Sequence, residues 1–425
     1  MNRTKEIWVS GLALFSMFFG AGNLILPPLL GFKALDQWFV VAIGFAITAV
    51  VIPIMAIYAH ARLQGTLYDF GKKVSPLFSV VYCVLIYIIS IALPAPRTAS
   101  VTHEIAISPF FESSALLTSA IYFALVLVFV LNRSKVLSIL GKFLTPLIVV
   151  ILLLIISIGI STDVQALAEG GSEAPLVDGI LEGYQTFDAI GGVVVGAVLI
   201  ISLNLRGHTT FEAKKELITK SGLIAGSGLF IIYAGLILVG ALFSGDFNAD
   251  IERTALLSGL SLKTLGNIGS TFLGVLVALA CFTTAVGVIT GAADYFKGLF
   301  KDSQMAYNLT AILSCIIGVI VGSYNVEFII KVAVPALMFI YPVTIVLILL
   351  NIIPKHFATV SVFRAVVLVT IVFSITDFLG ALGMGEHIQP VVEAIPLAHY
   401  SLGWVLPALL AFGVFAFLRS RKRVE

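Results

Sequence analysis

Apolar runs of about twenty residues follow one another along almost the whole chain, with little more than turns between them. Segments of that length and hydropathy cross a bilayer as helices, so few folds remain open. The runs fall near 7–30, 38–60, 77–99, 115–131, 135–160, 185–204, 219–244, 268–292, 306–323, 329–352, 360–382 and 396–418. Of the 425 residues only 11% are charged, against roughly 25% in ordinary soluble domains, and the mean hydropathy is +1.10. The expectation is an all-α polytopic membrane protein with twelve transmembrane helices. No polar stretch is long enough for a soluble domain, so 1–425 reads as one transmembrane domain.

Lys and Arg set the orientation, because cationic loops stay in the cytoplasm. With the N-terminus inside, most of the 25 cations fall on the cytoplasmic side, among them Lys72, Lys73, Arg133, Lys135, Lys214, Lys215, Lys297 and the tail from Arg419 to Arg423. The stretch from Ser161 to Glu182 carries Asp163, Glu169, Glu173, Asp178 and Glu182 without a cation, which suits an external loop. Both termini are then cytoplasmic. The Arg-rich tail reads as an anchor for the last helix rather than a nucleic-acid patch. The first apolar run is too long for a signal peptide and lacks a small-x-small cleavage site, so it is expected to stay as span 1. Cys83, Cys281 and Cys315 lie in apolar segments without paired spacing and read as packing residues.

Two of the runs are interrupted. In the first, Gly20 and Gly22 loosen the backbone, Pro27 and Pro28 lack donor hydrogens, and Asn23 adds an amide between them. The helix is expected to open here into free backbone groups, which survive in a bilayer only against protein, water or ligand. The alternative for the glycines is close helix packing. The second interruption, five spans later, is Gly183-Tyr184-Gln185-Thr186-Phe187-Asp188-Ala189-Ile190-Gly191-Gly192. An odd number of helices per unit makes a repeat of spans 1–5 by spans 6–10 inverted. Matching interrupted segments in the two halves of such a repeat point to a secondary-transporter site. The boundaries are 1–160 for the first repeat, 176–352 for the second, and 360–418 for two further helices. Half-helices present positive dipole ends to an anion and negative ends to a cation. A zwitterionic amino acid needs both, its carboxylate on the amides near Ala21 and Gly22 and its ammonium group on freed carbonyls.

Four polar features lie in or at the ends of apolar runs. Asp188 would cost roughly 2.5–3.5 kcal/mol at a helix centre and so faces a cavity or partner, or caps the second half of span 6, or both. Asp377, nearer the end of span 11, reads as structural. Ala280-Cys281-Phe282-Thr283-Thr284 offers two hydroxyls and a carbonyl within about a turn, the hard oxygens a sodium ion would use. Threonines in membrane helices also bond back to the i−4 carbonyl. Arg97, in Pro94-Ala95-Pro96-Arg97-Thr98, is either an interfacial cation on the outer side or, if span 3 continues toward His103, a deep neighbour of the cavity together with Thr98.

Catalytic signatures do not emerge. His103-Glu104 is followed by Ile107 where a zincin-type motif needs its second histidine, and no Walker-type loop, nucleophile elbow or histidine cluster occurs. An enzyme is not expected, and an ion gradient is the natural driver.

The strings Gly11-Leu12-Ala13-Leu14-Phe15-Ser16-Met17-Phe18-Phe19-Gly20-Ala21-Gly22-Asn23-Leu24-Ile25-Leu26-Pro27-Pro28, Pro96-Arg97-Thr98-Ala99 and Gly183-Tyr184-Gln185-Thr186-Phe187-Asp188 resemble the bacterial branched-chain amino acid carriers, and the likeness covers essentially the whole chain. That resemblance implies sodium-coupled uptake of leucine, isoleucine and valine across the bacterial cytoplasmic (inner) membrane, with no bound cofactor besides the coupling ion. More distantly the family is similar to transporters of the LeuT-like five-plus-five inverted-repeat fold. The likeness implies a substrate carboxylate on the Gly20, Ala21, Gly22, Asn23 string and a substrate surrounded by Tyr184, Thr186, Phe187 and Asp188, with Phe187 or Tyr184 as its aromatic cover. It further implies sodium held by the carbonyls of Ser16, Phe19 and Ala280 and the hydroxyls of Thr283 and Thr284. Arg97 and Thr98 are candidate pocket or gating residues. The rivals are a proton-coupled transporter using Asp188, and a channel or amino acid sensor that binds without accumulating.

Overall fold

The computed structural model describes residues 3–20, 22–132, 136–162, 167–194, 196, 210–354 and 356–421, which are helical apart from turns and short connections. The side chains of 136–144, 213 and 417–421 are outside the described set. Ala21, Arg133, Lys135, Asp163, the later part of span 6 and the extreme tail thus lie outside it. Among the described residues eight helices are long and apolar enough to cross a membrane, and Thr145–Ser161 and Val405–Ala416 are shorter apolar helices. Length alone therefore does not return twelve: the second half of span 1 runs on through a tight turn into span 2, spans 5 and 12 are among the shorter helices, and much of span 6 is outside the described residues.

Helix α1 (Arg3–Phe18) is followed by non-helical Phe19 and Gly20, and α2 (Gly22–Ala34) starts at Gly22. The opening is narrower than the sequence predicts: Pro27 and Pro28 lie inside α2. Their missing amides deny the Asn23 and Leu24 carbonyls the regular helical donor without ending the helix. Next come α3 (Trp38–Ala46) and α4 (Ile52–Leu63), joined by a π-helical turn at Ile47–Val51, and the short α5 (Leu67–Gly71). Span 3 is longer than predicted. It consists of α6 (Pro76–Ala92) and α7 (Pro94–Thr102), offset at Leu93 and extended by a π-helical turn to Ile107. Pro94 occupies the first helical position of α7, where its missing amide costs nothing.

After α8 (Ala115–Asn132) and α9 (Val136–Ser161), α10 (Pro175–Tyr184) ends at the second interruption, and a further helix, α11 (188–194), restarts at Asp188. The second half continues with α12 (Phe211–Leu242), α13 (Arg253–Leu299), α14 (Gln304–Val321) and α15 (Val326–Ile352). Helix α13 starts well before the predicted span 8 and bends at Gly266, whose φ of 68° is open to glycine at no steric cost. The last helices are α16 (Val360–Leu379), α17 (Gly385–Ala394) and α18 (Val405–Arg421).

Two close crossings organise the bundle. A Cβ on Gly31 of α2 would lie 1.7 Å from the Ile237 carbonyl oxygen of α12, and one on Gly240 of α12 1.9 Å from that of Pro28. Likewise Gly44 of α3 and Gly179 of α10 rest on the backbones of Leu176 and Val41. Small residues permit backbone-to-backbone approach, which drives helix association where no hydrophobic effect operates between helices. Leu77, Ile268, Leu309, Leu368 and Leu410 point outward, as lipid-facing positions should. The buried apolar side chains form two clusters, one centred on α1, α2, α9, α12 and α13, the other on α4, α6, α15 and α16. The site lies between them.

Candidate functional site

At the first interruption the Phe19 amide still bonds Phe15 O at 2.9 Å, but the Gly20 amide turns to Phe18 O at 3.1 Å. Ser16 O thereby loses the donor that a regular helix would aim at it. Asn23, 2% exposed, ties the opening together: its Nδ2 donates to Phe18 O at 2.8 Å and to Asp188 Oδ2 at 2.6 Å, and lies 2.5 Å from Tyr233 Oη. One side chain therefore joins the end of α1, the start of α11 and the middle of α12.

The second interruption closes as a tight turn, with Phe187 N bonded to Tyr184 O at 3.1 Å and Phe187 in the left-handed region at φ 61°. A bulky residue in that region is strained, and such strain concentrates at functional sites. Thr186 Oγ1 donates to Gly183 O (2.8 Å) and accepts from Asp188 N (3.2 Å). Thr186 thus makes the helix-start contact that Asp188 could have made, and the Asp188 carboxylate crosses to Asn23 instead. The two breaks meet through that pair.

Arg97 is 5% exposed, in the continuous part of span 3, so the outer-surface reading is corrected. Its Nη1 donates to Gln185 O at 2.8 Å, and its Cζ lies 5.4 Å from the Phe187 ring centroid. A Cβ on Gly22 would lie 2.2 Å from Arg97 Nη2, so the guanidinium fits only because that position has no side chain. Thr98 is buried beside it, its hydroxyl bonded to Ala95 O at 2.5 Å.

These groups line one cavity of about 1220 Å³, together with Ser16, Phe19, Gly20, Ala280, Thr283 and Thr284. Of the two aromatics predicted as a substrate cover, Phe187 lines it. Tyr184 is turned away, stacked on Tyr341 with centroids 4.4 Å apart, while the Tyr341 hydroxyl accepts from Ala189 N at 3.1 Å. Thr283 and Thr284 each donate to Ala280 O at 2.9 Å, the back-bonding weighed from sequence. A hydroxyl that donates backward keeps its lone pairs for a cation, so back-bonding leaves both hydroxyls able to face one, while the Ala280 carbonyl is already the acceptor of both. The Ser16 hydroxyl pairs with that of Thr145 at 2.8 Å, and both residues line the cavity. Among the described residues no cluster of three His, Cys, Asp or Glu could hold a metal ion.

The cavity runs toward Thr66, Tyr68, Asp294 and Leu299, the end of the molecule that also carries Lys72, Lys73, Lys297 and Lys301. The opposite end is tied together by ion pairs and hydrogen bonds. Arg253 Nη2 lies 2.9 Å from Glu182 Oε1 and its Nη1 pairs with Glu327, while Glu104 accepts from Thr254 Oγ1 (2.6 Å) and Val326 N (2.9 Å). These contacts join α10, α13, α15 and the end of span 3. Neither they nor Tyr233 stand out in the sequence. Tyr233 is a lone hydroxyl in an apolar run, and the ion-paired residues are far apart along the chain.

A buried cavity holding an arginine and an aspartate, within a protein of many apolar spans, is the kind of site a membrane transporter carries. The sequence profile of branched-chain amino acid transport proteins matches residues 3–422, and the chain belongs to that family. It is 32% identical over 414 residues to the branched-chain amino acid transport system 2 carrier protein of Pseudomonas aeruginosa, covering 96% of this chain and 94% of that one. It is also 32% identical over 418 residues to the branched-chain amino acid permease BraB of Bacillus subtilis, covering 96% and 94%. Its fold is similar to that of a Na+-coupled sialic acid symporter in a substrate-bound outward-open state, with a TM-score of 0.63 at 12% identity over 97% of this chain and 89% of that one. Inward-facing Mhp1 gives a TM-score of 0.61 at 12% identity over 97% and 91%. The protein is a multi-pass membrane transporter of branched-chain amino acids and not an enzyme.

Proposed function

We propose that the protein is a sodium-coupled symporter that imports leucine, isoleucine and valine across the bacterial inner membrane by alternating access. The observation that carries this reading is the convergence of both helix breaks, through Asn23 and Asp188, on a cavity that also receives Thr283 and Thr284. In this reading α1 with α2 forms span 1, α10 with α11 forms span 6, and two spans after the second repeat complete twelve. The close crossings support the inverted repeat. Span 1 crosses span 7 at Gly31 and Gly240, and span 6 crosses span 2 at Gly44 and Gly179, the same pairing with the halves exchanged. With both termini in the cytoplasm, the cavity opens inward while the Arg253 and Glu104 contacts seal the outer side.

Sodium would join the Ser16 and Phe19 carbonyls to Ala280, Thr283 and Thr284, fastening the first break to α13 before substrate arrives. Ordering met by the first ligand lowers the ordering cost of the second, which is positive coupling. The apolar lining, with Phe18, Val101, Ile148 and Ile190, suits branched side chains. A methylene is worth only about 1–3 kcal/mol in such a pocket, so the three substrates compete with one another.

The sodium assignment is tested with Thr284→Ala and Thr284→Ser in proteoliposomes. Loss of an oxygen facing a cation should raise the sodium concentration for half-maximal leucine uptake by about tenfold or more. The ranking of leucine, isoleucine and valine should not change, and the serine variant should restore sodium response. An unaltered sodium dependence in the alanine variant removes Thr284 from the ion site.

A further inference from the structure

Among the described residues Arg97 is the cation where the breaks meet, and although Asp188 shares its cavity no carboxylate is bonded to it. Arg97 is 5% exposed at membrane depth, and its one hydrogen bond among the described residues goes to a neutral acceptor, Gln185 O. None of the ion pairs among the described residues includes it, and the Asp188 carboxylate is engaged by Asn23. A guanidinium has five N–H donors in a planar fork, so most of Arg97's remain for a ligand, and the residue lines the cavity. A buried charge of this kind is retained where a partner of opposite sign visits it.

We infer that Arg97 anchors the carboxylate of the amino-acid substrate. The inference rests on the transport reading above and deepens it. Guanidinium and carboxylate match as a two-point, charge-assisted pair, which fixes orientation as well as attraction. The ammonium end of the substrate then lies toward Asp188 and the Phe18 carbonyl, whose oxygens already converge on Asn23. Arg97, Asp188 and a zwitterion together carry no net charge, so the loaded site is electrically balanced. Because Arg97 also holds Gln185 O and lies against Gly22, a bound carboxylate touches both interrupted helices through one side chain. This differs from the carboxylate site expected from sequence, where backbone amides near Ala21 and Gly22 act alone. It also gives a selection rule: the site requires a free carboxylate and not merely a branched apolar group.

The test compares L-leucine with L-leucinamide, which keeps the ammonium group and side chain but replaces the carboxylate with a neutral amide. Ligand binding is read as thermal stabilisation of the purified full-length protein in sodium chloride. The wild-type protein should bind leucine about 30-fold or more tightly than leucinamide, the scale expected for breaking a buried, hydrogen-bonded charge pair. Arg97→Gln should weaken leucine by a similar factor and bring the two ligands to near-equal affinity, with Arg97→Lys between. A glutamine variant that keeps the wild-type preference overturns the inference. If that variant does not fold, the wild-type comparison decides alone, because leucinamide binding as tightly as leucine also overturns it. Wild-type protein that binds none of leucine, isoleucine and valine fails differently, removing the amino-acid reading on which the inference stands.

Discussion

Asp188→Asn is expected to reduce sodium-driven leucine uptake about 100-fold while leaving the protein folded. Asp188 is 7% exposed, and its Oδ2 receives the Asn23 amide at 2.6 Å, the contact that holds the start of α11 to the start of α2. Asparagine is nearly the same size, so packing is preserved. What disappears is the charge, and with it both the charge-assisted bond and the negative counterpart to Arg97 in the same cavity. Removing one member of a buried charged arrangement costs about 2–5 kcal/mol, mostly through what is left unbalanced. Uptake by reconstituted variant protein, normalised to protein recovered in monodisperse form, measures the effect. Uptake within a factor of three of wild type would mean that the Asn23–Asp188 contact is packing and not part of the transport site.

The second large effect concerns folding. In Gly240→Ala the new methyl would begin 1.9 Å from Pro28 O, 2.8 Å from its carbonyl carbon and 3.0 Å from its Cα. These are backbone atoms, which cannot rotate away, so α2 and α12 would have to part by roughly an ångström along their shared crossing. Overpacking of a well-fitted contact costs about 1–3 kcal/mol where side chains can yield, and more where they cannot. A loss of about 3 kcal/mol or more is expected, seen as a lower thermal midpoint and a reduced monodisperse fraction after purification. Gly287→Ala supplies the contrast, because a Cβ there meets nothing within 4 Å. Its midpoint should match wild type. Equal midpoints for the two variants would contradict the backbone crossing.

The positions of both interruptions were legible because glycine and polar residues stand out sharply inside apolar runs. Their extent was not. Pro27 and Pro28 look like part of the first break, yet a helix can carry prolines when the carbonyls they abandon are accommodated by their surroundings, and α2 does so. Pro94 and Pro96 did not decide the matter. They fall inside the apolar run 77–99 and leave open whether Arg97 is interfacial or deep; the first of them starts α7, and Arg97 on that helix is buried. Whether Phe187 or Tyr184 lines the cavity depends on the positive φ at Phe187 and the stacking of Tyr184 on Tyr341, both tertiary outcomes without a local signature. Arg253, Glu182 and Glu327 were invisible as a unit, since charge pairing across such separations is set by the fold alone. Ala21, expected at the substrate carboxylate, lies outside the described residues.

The most direct test of the sodium symport account is uptake of radiolabelled leucine by the purified protein in liposomes, with sodium and proton gradients imposed separately and excess valine or isoleucine as competitor. Sodium symport requires accumulation above the external concentration when sodium is directed inward, no accumulation with a proton gradient alone, and inhibition by either competitor. Accumulation driven only by protons would transfer the coupling role from the Thr283–Thr284 site toward Asp188, and binding without accumulation would contradict symport altogether.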